Sequence, residues 1–227
     1  MKKGVYKRNK KILGIGINDS NYVTQTYKIV DGKRVKDYSC PYYMRWYDML
    51  KRVTGRVNIN GNSKSYDGVA ICEEWTYFSN FKSWMEQQDW EGKHLDKDLL
   101  SKGEKIYSPE TCCFVDRSIN NFLIDRGAFR GDYALGVAKM KKQGLKKAYK
   151  CDISKYGERE RLGYFETEQE AHKAWQLAKW KYGRELLSEQ TDPRVIQAMH
   201  VILHKLGEDW YAGRITEKTC LNPTQAA

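Results

Sequence analysis

The chain has 227 residues, and Lys plus Arg outnumber Asp plus Glu by 40 to 29, a net charge of +11. A hydrophobic share of 41% and an aromatic share of 13% exclude wholesale disorder, since Trp and Tyr in such number bury large surfaces on folding. The positive excess draws the chain to polyanions. No apolar run reaches the length of a bilayer span or resembles a signal peptide, so nucleic acid in a cytoplasmic setting is expected rather than a membrane.

In chain order, Lys2, Lys3, Lys7, Arg8, Lys10 and Lys11 form a basic arm suited to tracking phosphates. Gly14-x-Gly16 lacks the third glycine and the βαβ unit of a nucleotide loop, and is set aside. Asp31-Gly32 is a two-residue turn signal that pairs Tyr27–Val30 with Arg34–Tyr38 as a hairpin. Pro41 suits a first helical position, and Tyr43, Trp46, Leu50 and Val53 follow at helical spacing. Residues 58–65 read as a loop and 69–72 as a short strand or the lead-in to a helix. Trp75, Phe78, Phe81, Trp84 and Met85 give a second helix with a dense core face. Residues 94–100 and 105–115 read as two extended pieces around a turn at 101–103, followed by a helix capped by Asp116 or Ser118.

A Gly- and Arg-rich joint at 126–131 marks a domain boundary. Beyond it, 134–141, 148–153 and 161–165 read as three strands with turns at Gln143-Gly144 and Tyr156-Gly157. Thr167 and Glu170 form a capping box for a helix with Ala171, Trp175, Ala178, Tyr182 and Leu186 on one face. Asp192-Pro193 opens a last helix to about Leu206, with Val195, Met199 and Leu203 on one face, and residues from 216 read as tail.

Lys139, Lys141, Lys142, Lys146, Lys147, Lys150, Arg159 and Arg161 crowd the strands and turns of the three-stranded unit, with Tyr149 and Tyr156 among them. A twisted basic sheet of this width fits a DNA major groove, with cations on phosphates and some side chains on base edges. The candidate nucleic-acid-binding residues are therefore those eight cations and Tyr149. Charge alone leaves structured RNA open beside double-stranded DNA.

Six cysteines, Cys40, Cys72, Cys112, Cys113, Cys151 and Cys220, are scattered and include no Cys-x-x-Cys pair. Free thiols are expected, with a zinc site from Cys40, Cys72 and Cys112 as the other reading. His200 and His204 stand at zinc spacing, but Val201 occupies the place of a zincin glutamate. His172, early in its helix, is expected to be exposed.

The run Leu162-Gly163-Tyr164-Phe165-Glu166-Thr167-Glu168-Gln169-Glu170-Ala171, with Gly136-Val137 before it, resembles the Apetala/ethylene-response-factor type of DNA-binding domain. The middle strand departs, with Ala148-Tyr149-Lys150 where the family has Trp-x-Ala. Residues 40–123 resemble an HNH homing-endonuclease module of the kind found in phages, through Trp46 to Arg52, Ile71-Cys72-Glu73-Glu74-Trp75, Phe78-Ser79-Asn80-Phe81, His94-Leu95-Asp96-Lys97-Asp98 and Tyr107 to Cys112. That likeness implies His94 as general base, Asp96 and Asp98 on a Mg²⁺ or Mn²⁺ ion, and Asn120 or Asn121 at the helix position. Lys93 stands where the pattern has an Asp ligand, and Thr111 where it has the positioning Asn.

The expected architecture is α+β: a basic arm and hairpin (1–38), an HNH-like ββα module (39–127), a three-stranded DNA-binding domain packed on one helix (128–190), and a C-terminal helix and tail (191–227). Two functions follow from the likeness. One is a metal-dependent DNA endonuclease of phage type, acting in a bacterial host cell; the other is a non-cleaving DNA-binding regulator or host-interaction factor on the same scaffold.

Overall fold

A computed structural model describes residues 11–56, 68–101, 103–125 and 132–220. The architecture is mixed α+β, with several small sheets and helices between them. The chain divides into two compact units: Met1–Glu91 with Glu104–Phe114, and Gly92–Gly103 with Val115–Ala227. The basic arm (apart from Lys11), the loop at 58–65 and the joint at 126–131 lie outside the described residues.

In the first unit, β1 (Gln25–Val30) and β2 (Lys33–Ser39) form an antiparallel hairpin. Asp31 and Gly32 both take positive φ, 51° and 72°, the mirror-image turn whose twist matches the strands. Helix α1 (Pro41–Val53) starts on Pro41 and buries Tyr43, Trp46, Met49 and Leu50. Trp46 is fully enclosed, and its indole N–H donates to the Trp75 carbonyl at 2.7 Å, so the ring is buried without an unmet donor. Trp75 lies in a 3₁₀ turn (Glu74–Thr76), ahead of α2 (Phe78–Met85) rather than within it. The predicted aromatic face is core: Trp75 meets Phe81 edge-on at 5.1 Å, and Trp84 packs on Phe114 at 5.6 Å.

β3 (Ala70–Ile71) pairs in parallel with β5 (Ile106–Tyr107). The piece expected as one strand over 105–115 is two, β5 and β6 (Cys113–Val115). The break is a polar knot: the Thr111 hydroxyl donates to the Ile106 carbonyl at 2.7 Å, and Thr111 Oγ1 accepts the Ser108 N–H at 3.1 Å. Side chains that satisfy local backbone groups in this way compete with strand pairing.

In the second unit, β4 (His94–Asp96) is shorter than the extended piece read over 94–100, because Asp96 turns the chain. Its Oδ1 accepts the N–H groups of Asp98 and Leu99 at 2.9 and 2.8 Å, an Asx-type turn. Helix α3 (Arg117–Leu123) packs on β4 and buries Ile119, Phe122 and Leu123.

β7 (Val137–Lys139), β8 (Tyr149–Lys155) and β9 (Glu158–Phe165) make an antiparallel sheet in that order, packed on α4 (Glu168–Ser188). Both arms of the Thr167–Glu170 capping box are present, which satisfies orphan N–H donors at the start of α4. Ala171, Trp175, Tyr182 and Leu186 are buried as predicted, and the Tyr182 hydroxyl accepts the Tyr156 N–H at 3.1 Å, tying α4 to the β8–β9 turn. Helix α5 (Pro193–Tyr211) packs along α4 and outlasts its predicted end by about a turn; fully buried side chains such as Leu186 and Met199 contribute about 2 kcal/mol each.

Two expectations are overturned in this unit. His172 is 2% exposed rather than a surface residue. Residues 216–220 are not loose tail: Thr216 hydrogen-bonds His172, Gln176 and Asp209, and Thr219 hydrogen-bonds Asp125. The two reversals are linked, since the Thr216 N–H bonds the His172 ring, which also meets the Leu135 carbonyl and stacks on Trp175.

Candidate nucleic-acid interface

The register of the three-stranded sheet sorts its charges. Cross-strand partners share a face, so Val137, Cys151 and Gly163 lie on one side, while Ala138, Lys150 and Tyr164 lie on the other. Cys151 and Ile153 are buried against α4, which makes theirs the helix face and leaves Lys150, Asp152 and Ser154 on the open face.

On β9 a bulge changes what reaches the open face. Cys151 pairs with Gly163, but Asp152 pairs with Arg161, so Leu162 is the extra, unpaired residue. Strict alternation from Tyr164 would have put Leu162, Glu160 and Glu158 on the open face. The bulge puts Arg161 and Arg159 there instead, and turns Glu160 and Glu158 to the side of Ile153 and Lys155. A one-residue offset reverses every side chain beyond it. Here it exchanges an acidic edge for a basic one.

At the centre of the open face is Asp152, a residue the sequence reading passed over. Its side chain is 8% exposed and is gripped by Arg161 Nε on one oxygen and by Arg159 Nη2 on the other, with Lys150 Nζ at 3.5 Å. Burial works against its ionisation, but the hydrogen bond from Arg161 and the charges of Arg159 and Lys150 outweigh it and hold the carboxyl below the usual range. Arg161 Nη1 also donates to the Tyr164 hydroxyl at 2.6 Å, and the Asp152 carboxylate pushes the guanidinium's own pKa up. Three cations around one carboxylate leave a local charge of about +2, with both guanidinium groups held in place.

The predicted binding residues fall into three places. Lys150, Arg159 and Arg161 share the open face. Lys141, Lys142, Lys146 and Lys147 are exposed on the β7–β8 loop, where Lys146 stands 3.4 Å from Glu166. Lys139 and Tyr149 pair with each other on the helix side of the sheet, with the Lys139 ammonium 5.6 Å over the Tyr149 ring.

The residues of the His94 phrase are arranged differently. His94 is exposed on β4, and Asn120 and Asn121 are half-buried on α3, which packs on β4. Asp96 is buried, and burial pushes its carboxyl above the usual range; its Oδ1 already holds the turn at Asp98 and Leu99. Asp98 is exposed and ion-paired with the buried Lys97. Among the described residues no three His, Cys, Asp or Glu side chains converge as a metal group. All six cysteines are free thiols. His200 and His204 are exposed on α5, with His204 Nδ1 3.5 Å from Glu208.

No family model, curated protein or solved structure matches this chain. Among the described residues no helix is long and apolar enough to cross a membrane.

Proposed function

We propose that the chain binds double-stranded DNA through the open face of the β7–β8–β9 sheet and that it does so without cutting. The bulge at Leu162 is the observation that carries this reading, because it brings Arg159 and Arg161 beside Lys150 and keeps Glu158 and Glu160 off that face. A three-stranded sheet with basic side chains on its open face can lie in a major groove, with cations available to phosphates and base edges. The exposed lysines of the β7–β8 loop extend that cationic surface, and the chain's charge of +11 supplies the long-range attraction. This is the Apetala/ethylene-response-factor-like reading of residues 128–190, with the sheet as the DNA-facing layer.

The HNH-like reading of residues 39–127 supplies a scaffold in this account and not a reaction. Asp96 is buried with Oδ1 holding its turn, and Asp98 is ion-paired with Lys97, which argues against these two carboxylates as the metal-side groups of phosphodiester hydrolysis. Such a protein acts by occupancy, as a regulator or a factor that recruits others to DNA. Incubating supercoiled plasmid with the protein and Mg²⁺ or Mn²⁺, beside a gel shift on linear duplex, tests both halves. The expected result is a shifted duplex and intact plasmid. Nicking that disappears in His94→Ala restores the endonuclease reading, and no shift at low salt removes the DNA reading.

A further inference from the structure

We propose that Asp152 is a positioning residue for sequence discrimination: it holds Arg159 and Arg161 on the sheet so that they read base edges, while the loop lysines take the phosphates. The inference rests on the double-stranded DNA reading above. A carboxylate in the middle of a DNA-binding face repels phosphate, so its presence there needs a compensating role. Asp152 is almost enclosed by the cations that surround it, and each of its oxygens holds a different guanidinium.

The consequence is a difference in freedom between two sets of cations. A free Arg or Lys on a surface turns toward the nearest phosphate oxygen, which gives affinity but no sequence information. Arg161 cannot swing away without losing Asp152 at Nε and Tyr164 at Nη1, and among the described residues its Nη2 has no protein partner. Arg159 is tied through Nη2 alone. Both forks therefore stay over the sheet, where a groove floor would lie, with donors left to offer. Discrimination between bases by a guanidinium depends on geometry, and a fork fixed beforehand loses less entropy on contact. Lys141, Lys142 and Lys147 lie on a loop and are exposed, which suits them to phosphates at varying positions.

The test is selection from short random-sequence duplexes by the full chain, followed by affinity measurements on the enriched duplex and a scrambled one over a range of salt. Wild type is expected to enrich a motif. Asp152→Asn is nearly the same shape but lacks the charge, and it is expected to lower the enriched-to-scrambled affinity ratio roughly tenfold. Its affinity for scrambled duplex should be equal or higher, because a repelling charge has gone. A purely structural role would instead lower the melting temperature and leave the ratio unchanged. Arg161→Lys, which keeps the charge and removes the fork, gives a second route should Asp152→Asn fail to fold; it should lose the ratio with an unchanged salt slope. An unchanged ratio in these variants overturns the proposal, as does a wild type that binds duplex but enriches nothing. A wild type that does not bind duplex at all overturns the DNA reading itself.

Discussion

The backbone N–H of Thr216 ends on Nε2 of His172 at 2.9 Å, while Nδ1 of the same ring lies 2.9 Å from the Leu135 carbonyl. Thr216 can only donate, so Nε2 accepts and Nδ1 carries the proton; the ring is neutral and joins residues far apart in the chain. Protonating Nε2 would set one N–H against another in a buried place. Burial accordingly lowers the His172 pKa below its usual value of 6.5, against the raising effect of the Leu135 bond. A base with a depressed folded pKa contributes stability that is present above its free value and lost as pH falls through the folded one. Denaturant midpoints should therefore fall below about pH 6.5 in wild type, and fall less in His172→Gln, which can donate and accept in both protonation ranges. Parallel curves for the two proteins would contradict the assignment.

Lys179 gives the opposite arm of the pH profile. It is 6% exposed on α4, donates to the Phe122 carbonyl, and has its pKa brought down to about 8 by burial, with Asp125 acting the other way. Between about 8 and its free value of 10.5 the unfolded chain binds more protons than the folded one, so stability rises with pH across that window. The rise attributable to this residue is roughly 3 kcal/mol in full. Lys179→Met should flatten the slope between pH 8 and 10 relative to wild type, as read by urea unfolding at each pH. An equal slope in both proteins would show that the ammonium is solvated.

Gly136 has φ of +78°, and a Cβ there would collide with the indole of Trp175. The positive φ and the collision act together in Gly136→Ala, with an expected loss of roughly 3 kcal/mol or more from backbone strain and overpacking. Gly144 also has positive φ, +76°, but has open space around it, so Gly144→Ala should lose only the backbone part. Thermal melts of the pair separate the two contributions, and equal losses would mean that the Trp175 contact does not matter.

The Thr167 capping box offers a smaller, local effect. Thr167→Ala removes the acceptor for the Glu170 N–H and should lower stability by about 1 kcal/mol without altering the sheet's charge pattern. DNA affinity at a temperature well below the melt should stay within twofold of wild type. A large loss of affinity would place the helix, rather than the sheet, at the interface.

What was legible in the sequence was local. The Asp31-Gly32 hairpin, the Pro41 start of α1, the aromatic core around Trp75 and the Thr167 capping box each depend on residues within a turn or two of one another. The three strands and α4 were legible for the same reason. His172, Lys179 and Thr216 were not, because their burial comes from contacts between segments far apart in the chain. Lys179 left a trace: it stands four residues after Trp175 and three before Tyr182, at a core position of the helix. The basic sheet was foreseen, but its division into faces was not, since that depends on one unpaired residue, Leu162. Lys139 and Tyr149, grouped by sequence with Lys150, sit on the opposite side of the sheet. Asp152 was overlooked because an acid among bases reads as a solvated surface charge until its partners are seen.

The most direct measurement compares two equal losses of charge on opposite faces of the sheet. Arg159→Ala with Arg161→Ala removes two cations from the open face, and Lys139→Ala with Lys155→Ala removes two from the helix side. Binding to one mixed-sequence duplex is followed by fluorescence anisotropy over a range of salt. The open-face pair should weaken binding and reduce the slope of log affinity against log salt, because two cations leave the bound face, while the helix-side pair leaves the slope near that of wild type. Equal slopes for both pairs, or a loss confined to the helix-side pair, would contradict the open face of this sheet as the DNA-binding surface.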